Sequence, residues 1–199
     1  MVRAPHFLKE SSIWEFLKQK SDWIEKATQK VRQRTRKLRF HKFEEGELFL
    51  YLGHEYPLHI AEDMFGQFLF EDRLILAAKY HSKAARLIEK WYKEEAFRIF
   101  TQRCQVFAKQ MGVQYRSLSL SSAKSRWGCC TPHGTLRFCW RLVMAPIDII
   151  DYVAVHELAH LKELNHSAKF WELVSKTLSN YRVSKKWLTE NGSLLSWTA

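Results

Sequence analysis

The sequence predicts an α+β fold, with an antiparallel β-rich lobe over residues 1–81 followed by a mixed helical and β lobe over 82–199. Three patterns carry this prediction. Residues 38–78 break into short segments of alternating apolar and polar character, whereas 82–110 repeat apolar positions at helical spacing. A third stretch, 147–164, is apolar on nearly every side yet carries two histidines and a glutamate. A helix that is apolar all round belongs inside a protein, so polar groups within it need a partner or a task.

In chain order, Ser11 or Ser12 can cap a first helix running through Trp14, Leu17, Trp23, Ile24 and Val31. Strands are expected at 48–52, 56–60, 66–70 and 73–76, with turns at 53–55, 62–63 and 71–72, which together read as an antiparallel meander. The long helix over 82–110 sets Leu87, Trp91, Ala96, Phe100 and Phe107 on apolar positions and stops at Gly112. Two further strands are expected at 114–121 and 135–143. In the second, Leu136, Phe138, Trp140 and Leu142 alternate with Arg137, Cys139 and Arg141. The residues between, 127–134, read as a loop. Pro146 opens the apolar helix, where its missing N–H costs nothing, and that helix is expected to end near Leu164. Ser167 begins another helix with Phe170, Trp171, Val174 and Leu178, and Trp187-Leu188 packs a last short one.

Composition narrows the function. The 199 residues are 46% hydrophobic and 27% charged, which is ordinary for a globular chain and sufficient for one good core. No run of about 18 apolar residues exists to span a membrane, and the first residues lack a signal-peptide core, so a cytoplasmic location is expected. The cysteines, Cys104, Cys129, Cys130 and Cys139, are too few for a disulfide scaffold and are read as free thiols. A second zinc site from Cys129, Cys130, His133 and Cys139 is the alternative, but it lacks the C-x₂-C spacing that nucleates one. The net charge is +11, and residues 1–45 hold twelve Lys/Arg against six Asp/Glu. The densest part, residues 30–39, suits contact with phosphate or nucleic acid; its alternative is a solvated, solubilising helix face.

The run His156-Glu157-Leu158-Ala159-His160 is the chemical signal. Positions i and i+4 share a helix face, so both imidazoles can reach one metal ion. Zinc takes imidazole nitrogens at about 2.0–2.1 Å in tetrahedral geometry. Glu157 beside the first ligand can serve as general base toward a water. His166 lies too far along for the same helix face, but it returns as a third ligand if Asn165 turns the chain. Three protein ligands and one open position describe a catalytic zinc site, although nickel, cobalt or copper would also accept three imidazoles. A developing oxyanion needs a donor, for which Arg126, Arg141, His133 and Tyr152 are candidates; packing against Trp127 and Trp140 is the alternative for the two arginines.

A wider set of residues carries a family resemblance. Ser125-Arg126-Trp127-Gly128-Cys129-Cys130, the run 134–142, Ala145-Pro146, Tyr152 to Leu158, and Asn165-His166-Ser167-Ala168-Lys169-Phe170-Trp171 resemble the YgjP-like family of metal-dependent hydrolases, related to SprT-like and zincin metallopeptidases. Residues 53–58 and 91–96 extend the likeness to the first half of the chain. Cys129 stands where the family usually has Ser, and Cys139 where it usually has Asn. The resemblance implies a zincin-like second lobe with His156, His160 and His166 as zinc ligands and Glu157 as base. It also implies two substrate classes. A zinc metallopeptidase acting on peptides is the leading reading, and a metal-dependent UTP pyrophosphatase the second. A nucleic-acid-binding module with a structural metal is the reading from another class, and Glu157 argues against it.

Overall fold

A computed structural model of the chain describes residues 4–25, 28 and 40–197. They belong to two compact units, Met1–Leu38 and Arg39–Ala199. In the first unit, α1 (Glu10–Gln19) starts after Lys9 rather than at Ser11 or Ser12, and Trp14 donates its indole N–H to Glu10 one turn back at 3.2 Å. Helical backbone resumes at residues 21–25. Val31 and the basic run 30–39 lie outside the described residues.

The second unit opens with a four-stranded sheet: β1 (Leu48–Tyr51), β2 (His54–Ala61), β3 (Phe68–Phe70) and β4 (Leu74–Ala77). The spatial order is β1-β2-β4-β3. β1 and β2 form a hairpin whose turn is Leu52-Gly53, both at positive φ, the geometry that matches the twist of flanking strands. The expected antiparallel meander is not what forms. β4 pairs in parallel with β2, in the register Leu58↔Leu74, and antiparallel with β3. Leu-Ile-Leu-Ala has no polar residue to turn toward water, so β4 suits the position between two neighbours better than an outer one.

A 3₁₀ turn (Ala78–Lys83) leads into α2 (Ala84–Met111). This helix buries Ile88, Tyr92, Ala96, Ile99, Phe100, Cys104, Phe107 and Met111, and Gly112 closes it at φ 61°. The second sheet contains β5 (Ser117–Ser121), β6 (Gly128–Cys130) and β7 (Thr135–Cys139), in the order β5-β7-β6. β6 replaces part of the expected loop. It pairs antiparallel with β7 through Gly128↔Phe138 and Cys130↔Leu136, and it is an edge strand. Three residues with no alternation leave no strand period to read.

A second 3₁₀ turn (Trp140–Met144) then delivers the chain to α3 (Ile147–Ala159), which is buried from Ile149 through Val155 and again at Glu157, Leu158 and Ala159. Two contacts fix where α3 starts. The hairpin tip donates Leu52 N–H to Val143 O at 2.9 Å and Gly53 N–H to Met144 O at 3.1 Å. Gly53 also sits so close to Pro146 that a Cβ there would fall 2.8 Å from Pro146 Cγ. Along α3, Asp151 is clamped to α2 by both carboxylate oxygens: Arg103 Nε at 2.5 Å and Nη2 at 2.6 Å. Charge-assisted pairs of this fork geometry are the strong ones. The chain finishes with α4 (Ala168–Thr177), α5 (Tyr181–Asn191) and a 3₁₀ turn (Gly192–Leu195). One buried cluster takes in residues of both sheets and of α2, α3 and α4. No helix among the described residues is long and apolar enough to cross a membrane.

Candidate metal centre

α3 ends at Ala159 rather than near Leu164, and His160 is its C-terminal cap. Leu161 N–H bonds Leu158 O at 3.1 Å, and the N–H groups of Lys162 and Glu163 both reach Ala159 O at 3.0 Å, so the last turn tightens instead of continuing. The chain then turns back through Asn165. His166 directly precedes Ser167, whose hydroxyl accepts from Phe170 N–H at 3.3 Å and caps α4. Helix stop, turn and cap together bring His166 over the two histidines of α3.

The result is a cluster in which one ring nitrogen from each of His156, His160 and His166 lies within 4.8 Å of the others. His156 Nε2 and His166 Nε2 are 3.0 Å apart. Two nitrogens on one tetrahedral zinc stand about 3.3 Å apart, given zinc–nitrogen bonds of 2.0–2.1 Å. Phe170, fully buried, forms the floor: its ring centroid is 4.9, 4.6 and 4.8 Å from those of His156, His160 and His166. The His160 tautomer is fixed, because Nδ1 donates to the Glu163 carbonyl at 3.0 Å and leaves the Nε2 lone pair free. That partner is a backbone carbonyl; the Glu163 carboxylate is not used. Burial, then the nearby His160, His166 and Lys185, push the His156 imidazole down to about 3. Burial, His160 and Lys185 also lower His166. His156 Nδ1 is buried with no hydrogen-bond partner among the described residues. Lowered basicity at His156 and His166, a fixed His160 tautomer and three ring nitrogens within 4.8 Å of one another fit a divalent transition metal.

Glu157, next to His156 on α3, is 5% exposed and packs against Gly128 of β6. Burial pushes its carboxyl up to about 7, against the pull of the Cys130 backbone N–H. Gly128 makes this possible: a Cβ there would lie 2.5 Å from Glu157 Oε1, 2.7 Å from Cγ and 2.8 Å from Cδ. The missing side chain is the space that the carboxylate occupies.

The remaining sequence candidates are placed differently. Tyr152 is buried one turn before His156, with ring centroids 5.9 Å apart, and burial followed by Glu157 and Tyr181 pushes its phenol up to about 12. Arg141 gives its guanidinium to the carbonyls of Ser122 and Ala123 at 3.0 and 2.8 Å and lies over Trp140, so it ties down the segment after β5. Arg126 and His133 are exposed and make no hydrogen bond or ion pair among the described residues. Cys139 donates to the Ala123 carbonyl, and among the described residues only the three histidines form a metal-capable cluster. Two residues escape the sequence reading. Gly128 has no positive φ to advertise it, and Lys185 lies in a helix whose lysines look alike in sequence.

Comparison with known proteins adds to this geometry. No curated protein matches the chain. Among solved structures it is similar to the metallopeptidase zymogen of Pyrococcus abyssi abylysin, at 20% identity and a TM-score of 0.42, over 46% of this chain and 93% of that one. A family model for the YgjP-like metallopeptidase domain matches residues 1–191. With nearly the whole sequence inside that match, the chain belongs to the YgjP-like, metallopeptidase domain family, and it is a metal-dependent hydrolase.

Proposed function

We propose that the protein cleaves peptide bonds with one zinc ion held by His156, His160 and His166, and with Glu157 as general base. The observation that carries this reading is the convergence of three imidazoles beside a buried carboxylate. When bound, zinc supplies Lewis acidity, which polarises a carbonyl and makes water acidic near neutral pH. The protein's own groups do the rest. His160 presents Nε2 because the Glu163 carbonyl holds its other nitrogen, and His156 stays neutral because burial disfavours its cation. Glu157 accepts a proton on its carboxylate from the attacking water and passes it to the departing amine nitrogen. A carboxyl held near neutrality by burial suits both halves of that exchange. Gly128 and the Cys130 N–H hold the carboxylate in one place, so little reorganisation is needed during the reaction.

The test is a defined peptide library incubated with the zinc-loaded protein and with Glu157→Gln, read by mass spectrometry, beside UTP read by pyrophosphate release. Peptide cleavage by the wild type that disappears in the variant is the expected result. Pyrophosphate release that depends on Glu157, without peptide cleavage, would replace the carbonyl by a phosphoryl group at the same site.

A further inference from the structure

Beside the histidine cluster stands a cation that the reaction outlined above does not use. Tyr181, the first residue of α5, stacks on Trp171 with centroids 5.3 Å apart and planes 18° apart. One turn later, Lys185 places Nζ 4.2 Å from the Trp171 ring centroid. That same indole lies 5.7 Å from the His166 ring, nearly parallel to it at 27°, and 5.8 Å from the His156 ring. The ammonium and two histidines of the cluster therefore share one aromatic neighbour. Its field reaches them, contributing to the lowered basicity of both.

The neighbouring lysines are differently engaged. Lys186 pairs with Glu190 at 3.9 Å, and Lys176 pairs with Glu172 at 2.7 Å. Lys185 is exposed and has no carboxylate at ion-pair distance among the described residues. Contact with an exposed indole face is worth only about 0.5–1 kcal/mol in general, and it leaves the ammonium open to a second, anionic partner. It also holds a flexible stem in one place, which reduces the ordering cost when that partner arrives.

We propose that Lys185 is a specificity determinant, its ammonium receiving a carboxylate that the substrate peptide carries near the bond to be cut, as an acidic side chain or as its C-terminus. This rests on reading the histidine cluster as the metal centre of a peptidase. A net charge of +11 draws such acidic substrates toward the protein, and Lys185 supplies the point contact.

The test uses the full chain loaded with cobalt, whose visible spectrum reports ligands entering the coordination sphere. The probes are monohydroxamates of dicarboxylic acids from succinic to suberic, each compared with its own methyl ester. At low salt, one or more of the acids should bind about two- to fivefold tighter than its ester, the range expected of a solvent-accessible ion pair. That advantage should vanish in Lys185→Met, persist in Lys185→Arg and fade at high ionic strength. Unchanged binding of the esters in Lys185→Met shows that the site is intact. Equal binding of acid and ester throughout the series, or an acid advantage that survives Lys185→Met, overturns the assignment and leaves the metal centre standing. No spectral response to any hydroxamate overturns the metal-centre reading and this inference together.

Discussion

Gly128→Ala isolates the placement of the proposed base from every other feature of the site. The methyl group would sit 2.5 Å from Glu157 Oε1, 2.7 Å from Cγ and 2.8 Å from Cδ, where ordinary contact begins at about 3.4 Å, so the side chain must retreat by close to 1 Å. The backbone of β6 cannot yield instead, because it is paired to β7 at Gly128↔Phe138 and Cys130↔Leu136. Displacing a catalytic group by about 1 Å costs on the order of 100-fold in rate, or about 2.7 kcal/mol of transition-state stabilisation. Loss of the Cys130 N–H interaction costs about 1–3 kcal/mol of stability, because the carboxylate stays buried without its donor. The expected outcome is a kcat near 1% of wild type, with metal content unchanged because the atoms nearest the added methyl all belong to Glu157 and none to the three histidines. The decisive assay is a double-mutant cycle with Glu157→Ala. If Gly128 acts only through Glu157, adding Gly128→Ala to that variant has no further effect on rate. A Gly128→Ala protein of full activity, or an equal loss in both backgrounds, refutes the reasoning.

Three other outcomes are expected. His166→Ala, which removes a nitrogen 3.0 Å from His156 Nε2, should weaken zinc binding by more than about 100-fold in a chelator competition while leaving the fold intact, since His166 is exposed. Gly53→Ala should destabilise the protein by about 2–4 kcal/mol in urea unfolding, because φ +83° strains any side chain and the added Cβ would fall 2.8 Å from Pro146 Cγ and 2.9 Å from its Cα. The pH dependence of the metal-free protein sets two groups against each other. Glu157 is raised in the fold, so its contribution is lost as pH climbs from about 4.5 to about 7. His156 is lowered, so its contribution is lost as pH falls from about 6.5 to about 3. Between pH 4.5 and 6.5 these slopes oppose one another. Glu157→Gln removes the first, so the metal-free variant should lose about 1.4 kcal/mol more per pH unit of acidification than the wild type across that window, measured by denaturant midpoints.

What could be read in advance from this chain follows the distance over which each signal acts. Gly112 stopping α2, Pro146 preceding α3 and Ser167 capping α4 are local backbone effects, set by φ preference or by one hydroxyl, and all three stand where their chemistry places them. The i,i+4 spacing of His156 and His160 is equally local. The parallel pairing of β2 with β4 is not, because it depends on which neighbour a wholly apolar strand meets, and Leu74–Ala77 carries no alternation to say so. α3 stops five residues before Leu164 although apolar spacing continues to that residue, since the tightening of its last turn owes nothing to hydrophobic period.

At the site the same division holds more sharply. The proposed ligands are legible because their chemistry resides in side chains, and His166 needs only a turn of the kind Asn165 permits. Gly128 is invisible to that kind of reading, because its contribution is a volume left empty 29 residues before the helix residue that fills it, and only the packing of β6 against α3 brings the two together. The pairing of Gly128 with Glu157 also explains why α3 can hold a carboxylate within an otherwise apolar helix. The acid lies against the edge strand where a backbone N–H is available, its burial raises its basicity to the range a general base needs, and the cost of that burial is confined to one residue. A larger residue at 128 would take away the space and the basicity at once, whereas a change at His156, His160 or His166 would leave the carboxylate in place with no metal beside it. The two halves of the proposed chemistry are therefore held by different elements, the α3–α4 turn for the histidines and β6 for the base, and substitutions can separate them.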